Sequence, residues 1–249
     1  MTRPAAARTI VRCGRVESTQ PIAFAIAADG APDCSVVIAD SQAAGRGRRG
    51  RPWHDEPGAS LLVSIVLRPR VPAARLATLS LTAGVALAEA LERAAGLDAR
   101  LKWPNDVLVG GRKLAGILLE SRLGVAPAGG SAVVALGIGV NLTQRTFPVE
   151  LRDRATSVRL AGGRDVDRDG LLTEILARLD HWRERLETEG FEPVRARWRA
   201  LADTLGRPVS VDGVAGVAVD LDEDGALLVA DDHGVRRRVV AGDIVEERR

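Results

Sequence analysis

Tyrosine is missing from this 249-residue chain, and lysine and asparagine nearly so: Lys102, Lys113, Asn105 and Asn141 are the whole supply. Positive charge is otherwise carried by arginine, which supplies all but two of the 35 basic residues. With aromatics at 3%, the core has to be built from Ala, Val and Leu. The two cysteines, Cys13 and Cys34, are far apart and form neither a Cys-x-x-Cys motif nor a disulfide framework. That spacing points to reduced thiols in a cytoplasmic protein. No run approaches the ~20 apolar residues of a membrane span. The opening Met-Thr-Arg-Pro-Ala-Ala-Ala-Arg lacks the apolar segment of a signal peptide. A net charge of +2 is too slight for whole-surface attraction to nucleic acid or membrane.

What remains is ordinary for a soluble globular protein, 46% hydrophobic and 27% charged. The uncommon residues, however, are not scattered. Both lysines and one asparagine fall within the stretch from Lys102 to Gly116. A lysine kept in a chain that otherwise uses arginine is a candidate for work arginine cannot do. A compact ammonium on a flexible stem can follow a moving charge, whereas the guanidinium is a fixed fork. The competing reading is two surface lysines that landed together by accident.

Residues 8–16 alternate loosely and predict an opening strand. Ser18 or Thr19 can cap a helix whose first turn tolerates Pro21 and whose end suits Gly30. Residues 34–39 and 60–67 read as buried strands on either side of a Gly/Arg loop, residues 43–51. Pro72 opens the longest helical pattern, with Gly96 as its stop. Residues 99–103 are extended into Pro104, and Gly110-Gly111 predicts a tight hairpin between 107–109 and 114–119. Another strand is expected over 131–140, then helices over 170–187 and 193–205. After Gly206 short β segments split by Gly and Asp (209–211, 214–219, 226–229, 235–240 and 244–245) suggest a small barrel of about 45 residues. The expected fold is α+β, a mixed or antiparallel sheet flanked by helices, with domains 1–205 and 206–249.

Five segments carry chemistry. The loop from Gly45 to Trp53 alternates glycine with Arg46, Arg48, Arg49 and Arg51. It could cradle a phosphate, enter a DNA minor groove as an AT-hook-like Arg-Gly-Arg-Pro, or be a solvated loop. No Gly-Lys-Ser/Thr follows, so it is not a Walker motif. In Lys102-Trp-Pro-Asn-Asp106, Pro104 keeps Trp103 extended and leaves Asn105 and Asp106 at a strand end. There they suit a metal–nucleotide or a ligand hydrogen-bond network, with Asp106 the candidate metal ligand, or equally a plain turn. Lys113 begins a strand on which Gly116 permits close approach. In Gly137-Ile-Gly-Val-Asn-Leu142 alternate glycines clear one strand face for a ring. Glu17-Ser-Thr19 and Gln42 offer neutral hydrogen-bonding groups for an uncharged head such as a urea, although caps and turns explain Ser18 and Thr19 as well.

Taken together, Gln42-Ala-Ala-Gly-Arg-Gly-Arg-Arg-Gly-Arg51, Lys102-Trp-Pro-Asn-Asp106, Arg112-Lys-Leu-Ala-Gly-Ile-Leu118 and Gly137-Ile-Gly-Val-Asn-Leu142 resemble, in order, the motifs of biotin–protein ligases. The β-rich segment after Gly206 is similar to the family's SH3-like C-terminal domain. The resemblance implies a class II synthetase-like catalytic core that activates biotin with Mg2+ and ATP to biotinyl-5′-AMP, then passes biotin to a lysine of a biotin carboxyl carrier domain. It implies biotin-head contacts at Ser18, Thr19 and Gln42 and a slot bordered by Gly116 and Gly137. It also implies a basic loop (Gly45, Arg46, Gly47, Arg48 and Arg51) folding over the adenylate, with Trp53 packing on adenine. Asn105, Asp106 and Asn141 would surround the nucleotide. Lys113 and Arg48 would act where charge moves, with Lys102 in support.

Gln20 departs from the asparagine usual after Ser-Thr in that family, which leaves one head-group or capping contact in question. Only some 16 residues precede Glu17, too few for a DNA-binding fold, so a monofunctional enzyme with no DNA partner is expected. Exposed sheet edges leave a homodimer open. Two alternatives remain: a lipoate–protein ligase of related fold, and a nucleic-acid-binding module using the Gly/Arg loop.

Overall fold

A computed structural model describes residues 8–124 and 132–244. In chain order it contains β1 (Ile10–Val16), α1 (Thr19–Ala28), β2 (Val36–Gln42), β3 (Ser60–Leu67), α2 (Thr78–Ala95), β4 (Arg100–Lys102), β5 (Asp106–Val109), β6 (Arg112–Leu123), β7 (Ala132–Asn141), α3 (Arg168–Glu189) and α4 (Glu192–Leu201). The remaining elements are β8 (Pro208–Val211), β9 (Val214–Leu221), β10 (Leu227–Ala230) and β11 (Arg236–Val239). Seven strands make one sheet in the order β1-β2-β3-β7-β6-β5-β4. Only β1–β2 is parallel; every other pair is antiparallel, so the sheet is mixed as expected.

Local chemistry explains most boundaries. Ser18 caps α1 by accepting from the Gln20 N–H, and Pro21 sits in the first turn, where an N–H has no intrahelical acceptor. Gly96 ends α2 in the left-handed region (φ 70°), its N–H closing on helix carbonyls. Gly110 and Gly111, both at positive φ, form the turn between β5 and β6. Three expectations shift. Pro72 stays extended and a 3-10 turn precedes α2, so that helix begins at Thr78. The longest helix is instead α3, with 22 residues against 18. The last helix stops at Leu201, because Ala202 turns extended to bridge Leu101 and Asp203 N–H donates to the Leu101 carbonyl at 2.8 Å. Ser131 and Val245, expected in strands, lie outside the described residues.

Strand alternation assigns the two faces. Val36, Ile38, Leu61, Val63, Ile65, Leu136 and Ile138 face the main core with α2 and α3. Val37, Val66, Val133 and Ala135 face the other way, against Ala23, Phe24 and Ala27 of α1. All eight residues of β3 are therefore buried, which is why its sequence is a nearly unbroken apolar run. Each fully buried leucine of α2, such as Leu87 or Leu91, contributes about 1.5–3 kcal/mol.

Residues after Gly206 form a four-stranded antiparallel sheet in the order β11-β10-β9-β8. Among the described residues no ladder closes β8 onto β11, and Ile244 follows outside any strand. Its inward residues Val209, Val211, Leu221, Leu227 and Val229 belong to the same apolar cluster as α2. Trp103 ties the two sheets together, its Nε1–H donating to the Gly225 carbonyl at 3.1 Å.

Candidate active site

The α1 face of the large sheet has a floor nearly free of side chains, set by strand register. Across β3, β7 and β6 one row reads Ser64–Gly137–Leu118. The next reads Leu62–Gly139–Gly116 and continues to Asp106 on β5. Residues opposite one another in antiparallel strands project to the same side, so the three glycines lie adjacent on one face. Both Gly137 and Gly139 are in tight quarters. A methyl group on Gly137 would sit 2.9 Å from the Gln20 Nε2, and one on Gly139 would sit 2.8 Å from the Trp53 indole.

One end of the floor carries neutral polar groups. Gln42 Oε1 accepts from the Thr19 N–H at 2.8 Å and from the Thr19 hydroxyl at 3.2 Å. The Thr19 and Ser64 hydroxyls are 2.7 Å apart. Thr19, Gln20 and Ser64 are all buried. Gln20 donates through Nε2 to the Leu118 carbonyl at 3.0 Å, while its Oε1 is buried with no partner among the described residues. Gln42 Nε2 packs beside Gly45, where a methyl group would lie 3.0 Å away. Asp55 accepts from the Gln42 N–H, and its burial raises its carboxyl pKa against that bond and Arg15.

Trp53 lies over the middle of the floor, packed on Gly139 and Gly116, with its Nε1 buried and without a partner among the described residues. The Lys113 stem lies against Gly116, and its ammonium stands 5.8 Å from the Trp53 ring centroid. That ammonium pairs with Asp106 at 2.6 Å. Lys113, Asp106, Gly116 and Trp53 are thus brought together.

The Gly/Arg loop is a miniature hairpin. Arg46 bridges Pro52, Gly47 N–H donates to the Arg51 carbonyl at 2.7 Å, and Trp53 N–H donates to the Gly45 carbonyl at 2.9 Å. Arg46 turns to an open groove of about 440 Å3 with Phe24, Glu120 and Arg122. The other arginines reach the small sheet's end. Arg48 Nη1 donates to the Gly242 carbonyl at 3.0 Å, Arg49 grips both Asp212 oxygens at 2.8 and 2.9 Å, and Arg51 pairs with Asp243 at 2.6 Å. Burial pulls the Arg48 guanidinium below its ordinary pKa, with Asp243 and Asp106 opposing and Arg49 and Arg51 reinforcing. Arg48, which lines one pocket together with Asn105, Ile117 and Leu119, thus brings the loop's charge beside the strand that carries Asp106.

Two polar candidates are committed to backbone. Asn105 Nδ2 donates to the Ile117 carbonyl at 2.6 Å, and Asn141 Nδ2 donates to the Thr156 carbonyl at 2.9 Å. Ser18 serves as the α1 cap. Lys102 is half-buried on β4, in register with Asp106 of β5. Sequence reasoning missed Ser64. The available signal was that Ser60 and Ser64 are the only polar residues of β3, four apart and hence on one face. Among the described residues no cluster of three His, Cys, Asp or Glu gathers around a common point. Such a donor set does not make a protein-held metal cage; it suits an ion that arrives on phosphates and takes one carboxylate.

Residues 14–141 match the Biotin/lipoate A/B protein ligase family, and residues 204–245 match the Biotin protein ligase C terminal domain. The chain is 41% identical over 224 residues to a biotin--[acetyl-CoA-carboxylase] ligase of Paracoccus denitrificans, covering 86% of this chain and 91% of that one. It is 39% identical over 246 residues to the protein of that name from Mycobacterium tuberculosis, covering 93% and 86%. Among solved structures, a biotin protein ligase from Aquifex aeolicus in complex with biotin and ATP matches with a TM-score of 0.81 at 28% identity, covering 96% of this chain and 98% of that one.

Proposed function

Because the chain belongs to the biotin protein ligase family, we propose that it activates biotin with ATP and transfers it to a lysine of a biotin carboxyl carrier domain, that of acetyl-CoA carboxylase. A biotin carboxylate oxygen attacks the α-phosphorus, the bond to the β-phosphate oxygen breaks, and pyrophosphate leaves. The acceptor amine then attacks the acyl carbon, AMP departs with the electron pair, and the amine proton is lost.

One observation carries this reading: a glycine floor with neutral hydrogen-bonding groups at one end and Lys113, Asp106 and Arg48 at the other. That layout suits a ligand with an uncharged polar head and an anionic tail. Both tail and triphosphate are negative, so catalysis here is positioning and charge neutralisation. Thr19, Gln42 and Ser64 hold the head, with Ser18 fixing the turn that presents them. The rings lie on Gly116 and Gly137 once the Trp53 indole moves off Gly116. Lys113 leaves Asp106 to follow charge from carboxylate to α-phosphate. Arg46, Arg48 and Arg51, on the flexible Gly45–Gly47 backbone, cover the adenylate, and Trp53 packs on adenine. Asn105 and Asn141 act by fixing the backbone around the nucleotide, and Lys102 supports it. Asp106 would be the residue to hold a magnesium ion carried in by the triphosphate, and the ion would supply neutralisation of phosphate charge there.

The same proposal assigns residues 1–205 to catalysis and 206–249 to the smaller unit, a cytoplasmic location, and no DNA partner. Two free thiols and the engagement of Arg48, Arg49 and Arg51 with the small sheet support the last two. Biotin-dependent ATP–pyrophosphate exchange tests the whole, repeated with lipoate. Exchange with lipoate alone would sink it. Lys113→Arg, which keeps charge but not shape, is expected to slow exchange by ~100-fold or more.

A further inference from the structure

We propose that the Gly/Arg loop is a cover that resists acylation: its guanidinium groups hold the adenylate without competing for the acyl group, so transfer is confined to an amine brought in from outside. The inference rests on the biotin ligase reading above and concerns what the activated acyl group is kept away from. Biotinyl-5′-AMP is a mixed anhydride, open to attack by any neutral amine within reach. The amine nitrogen bonds to the acyl carbon, AMP leaves with the electron pair, and the amine proton is lost. That is the same exchange the carrier lysine performs, so a cover made of lysines would place rival acceptors over the reactive carbon. A guanidinium carries the same charge from a pKa above about 12, so even Arg48, lowered by burial, stays a cation near neutrality. Its nitrogen lone pairs are delocalised over the planar fork, whereas a lysine yields a free amine far more readily.

Sequence and fold both follow this requirement. All four cations of the loop, Arg46, Arg48, Arg49 and Arg51, are arginines. Hydrogen bonds within the hairpin keep the loop beside Trp53, and so over the glycine floor. Of the 35 basic residues in the whole chain only two carry side-chain amines, and there is no tyrosine to offer a phenol. Lys113 meets the site in an ion pair with Asp106 at 2.6 Å, and Lys102 is half-buried on β4, in register with Asp106. An adenylate that escapes the site meets a surface whose exposed cations, such as Arg12, Arg93 and Arg237, are equally inert. Proximity makes the loop the place where this matters most. An amine tethered over the acyl carbon acts at an effective concentration on the order of millimolar, about a thousandfold above an enzyme that meets its own leaked product at micromolar concentration.

The test uses the full chain as wild type, Arg48→Lys, Arg51→Lys and Arg12→Lys, the last exposed on β1 at the far edge of the large sheet. Each is incubated with biotin, magnesium and ATP but no carrier. Acylation of every lysine is read by intact mass and peptide mapping, normalised to the adenylate formed. The wild type should remain unmodified at Lys102 and Lys113. The lysine introduced at position 48 or 51 should be acylated at least ~10-fold faster than the one at position 12, at a rate independent of enzyme concentration. Where Arg48→Lys or Arg51→Lys makes no adenylate, preformed biotinyl-5′-AMP is supplied instead. Equal labelling at positions 48, 51 and 12, or none at 48 and 51 with the adenylate bound, would show that the kind of cation in the loop is immaterial, and overturns the proposal. A biotinyl group on Lys102 or Lys113 of the wild type overturns it as well. A wild type that neither makes nor binds biotinyl-5′-AMP would instead sink the ligase reading, and the inference with it.

Discussion

At Gly139 a single methyl group decides whether Trp53 can lie on the sheet, since the indole is already 2.8 Å from where that carbon would be. Gly139→Val should displace the indole and narrow the floor, raising biotin KM by at least ~10-fold, a loss of the size expected when a fitted site loses about 1.4 kcal/mol. Red-shifted tryptophan fluorescence without a comparable fall in unfolding midpoint would separate that effect from misfolding. Far from the site, the buried Arg183 of α3 pairs with Asp33 at 3.2 Å and donates to Cys34 Sγ at 2.8 Å. Burial, with Arg183 opposing, pushes the Cys34 thiol from 9.0 up to about 11. The unfolded thiol ionises at its ordinary value while the folded one resists. This contribution is therefore intact below pH 9 and is lost as pH rises towards 11, by about 1.4 kcal/mol per pH unit. Cys34→Ser, which keeps a partner for Arg183, should flatten the alkaline fall in urea midpoint. An identical slope in both proteins would contradict this origin.

Among elements, the Gly/Arg loop is the most informative. Its hairpin bonds are local, but Arg49, Arg48 and Arg51 are held by Asp212, Gly242 and Asp243 across sequence separations of 163 to 194 residues. Replacing Asp212 and Asp243 together by Asn should leave the thermal midpoint nearly unchanged, because exposed pairs contribute little. It should speed amide exchange across residues 45–53. Protection equal to wild type would show that the local bonds suffice. The loop, its glycines and its charge were legible in sequence because they are contiguous; its docking partners were not, because nothing local encodes them. Likewise the glycine spacing at 137 and 139 announced a cleared face. That Ser64 and Leu118 flank it depends on register between distant strands. The asparagines illustrate the opposite limit. Their rarity marked them out, but that both amides serve carbonyls depends on the fold.

For the molecule as a whole, the two sheets share one apolar core, with Trp103 hydrogen-bonded to Gly225 and buried beneath it. Sequence composition announced the change of character after Gly206, but not that the small sheet completes the interior of the large one. Cutting the chain after Leu205 should expose Trp103 and also Leu81, whose side chain packs against Gly225; burying a leucine is worth about 1.5–3 kcal/mol. The shortened protein is expected to unfold at a lower temperature and to bind hydrophobic dye; an unaltered midpoint would mean that the units are energetically independent.

Arg48, Arg49 and Arg51 already have oxygen partners on the small sheet, so an incoming triphosphate meets cations whose field is partly spent. Its arrival is an ion exchange in which one set of anions replaces another. Mobile salt weakens the incoming attraction and the resident one alike. Nucleotide affinity should therefore vary with ionic strength less steeply than three unencumbered guanidinium groups would dictate, and more steeply once Asp212 and Asp243 are neutralised.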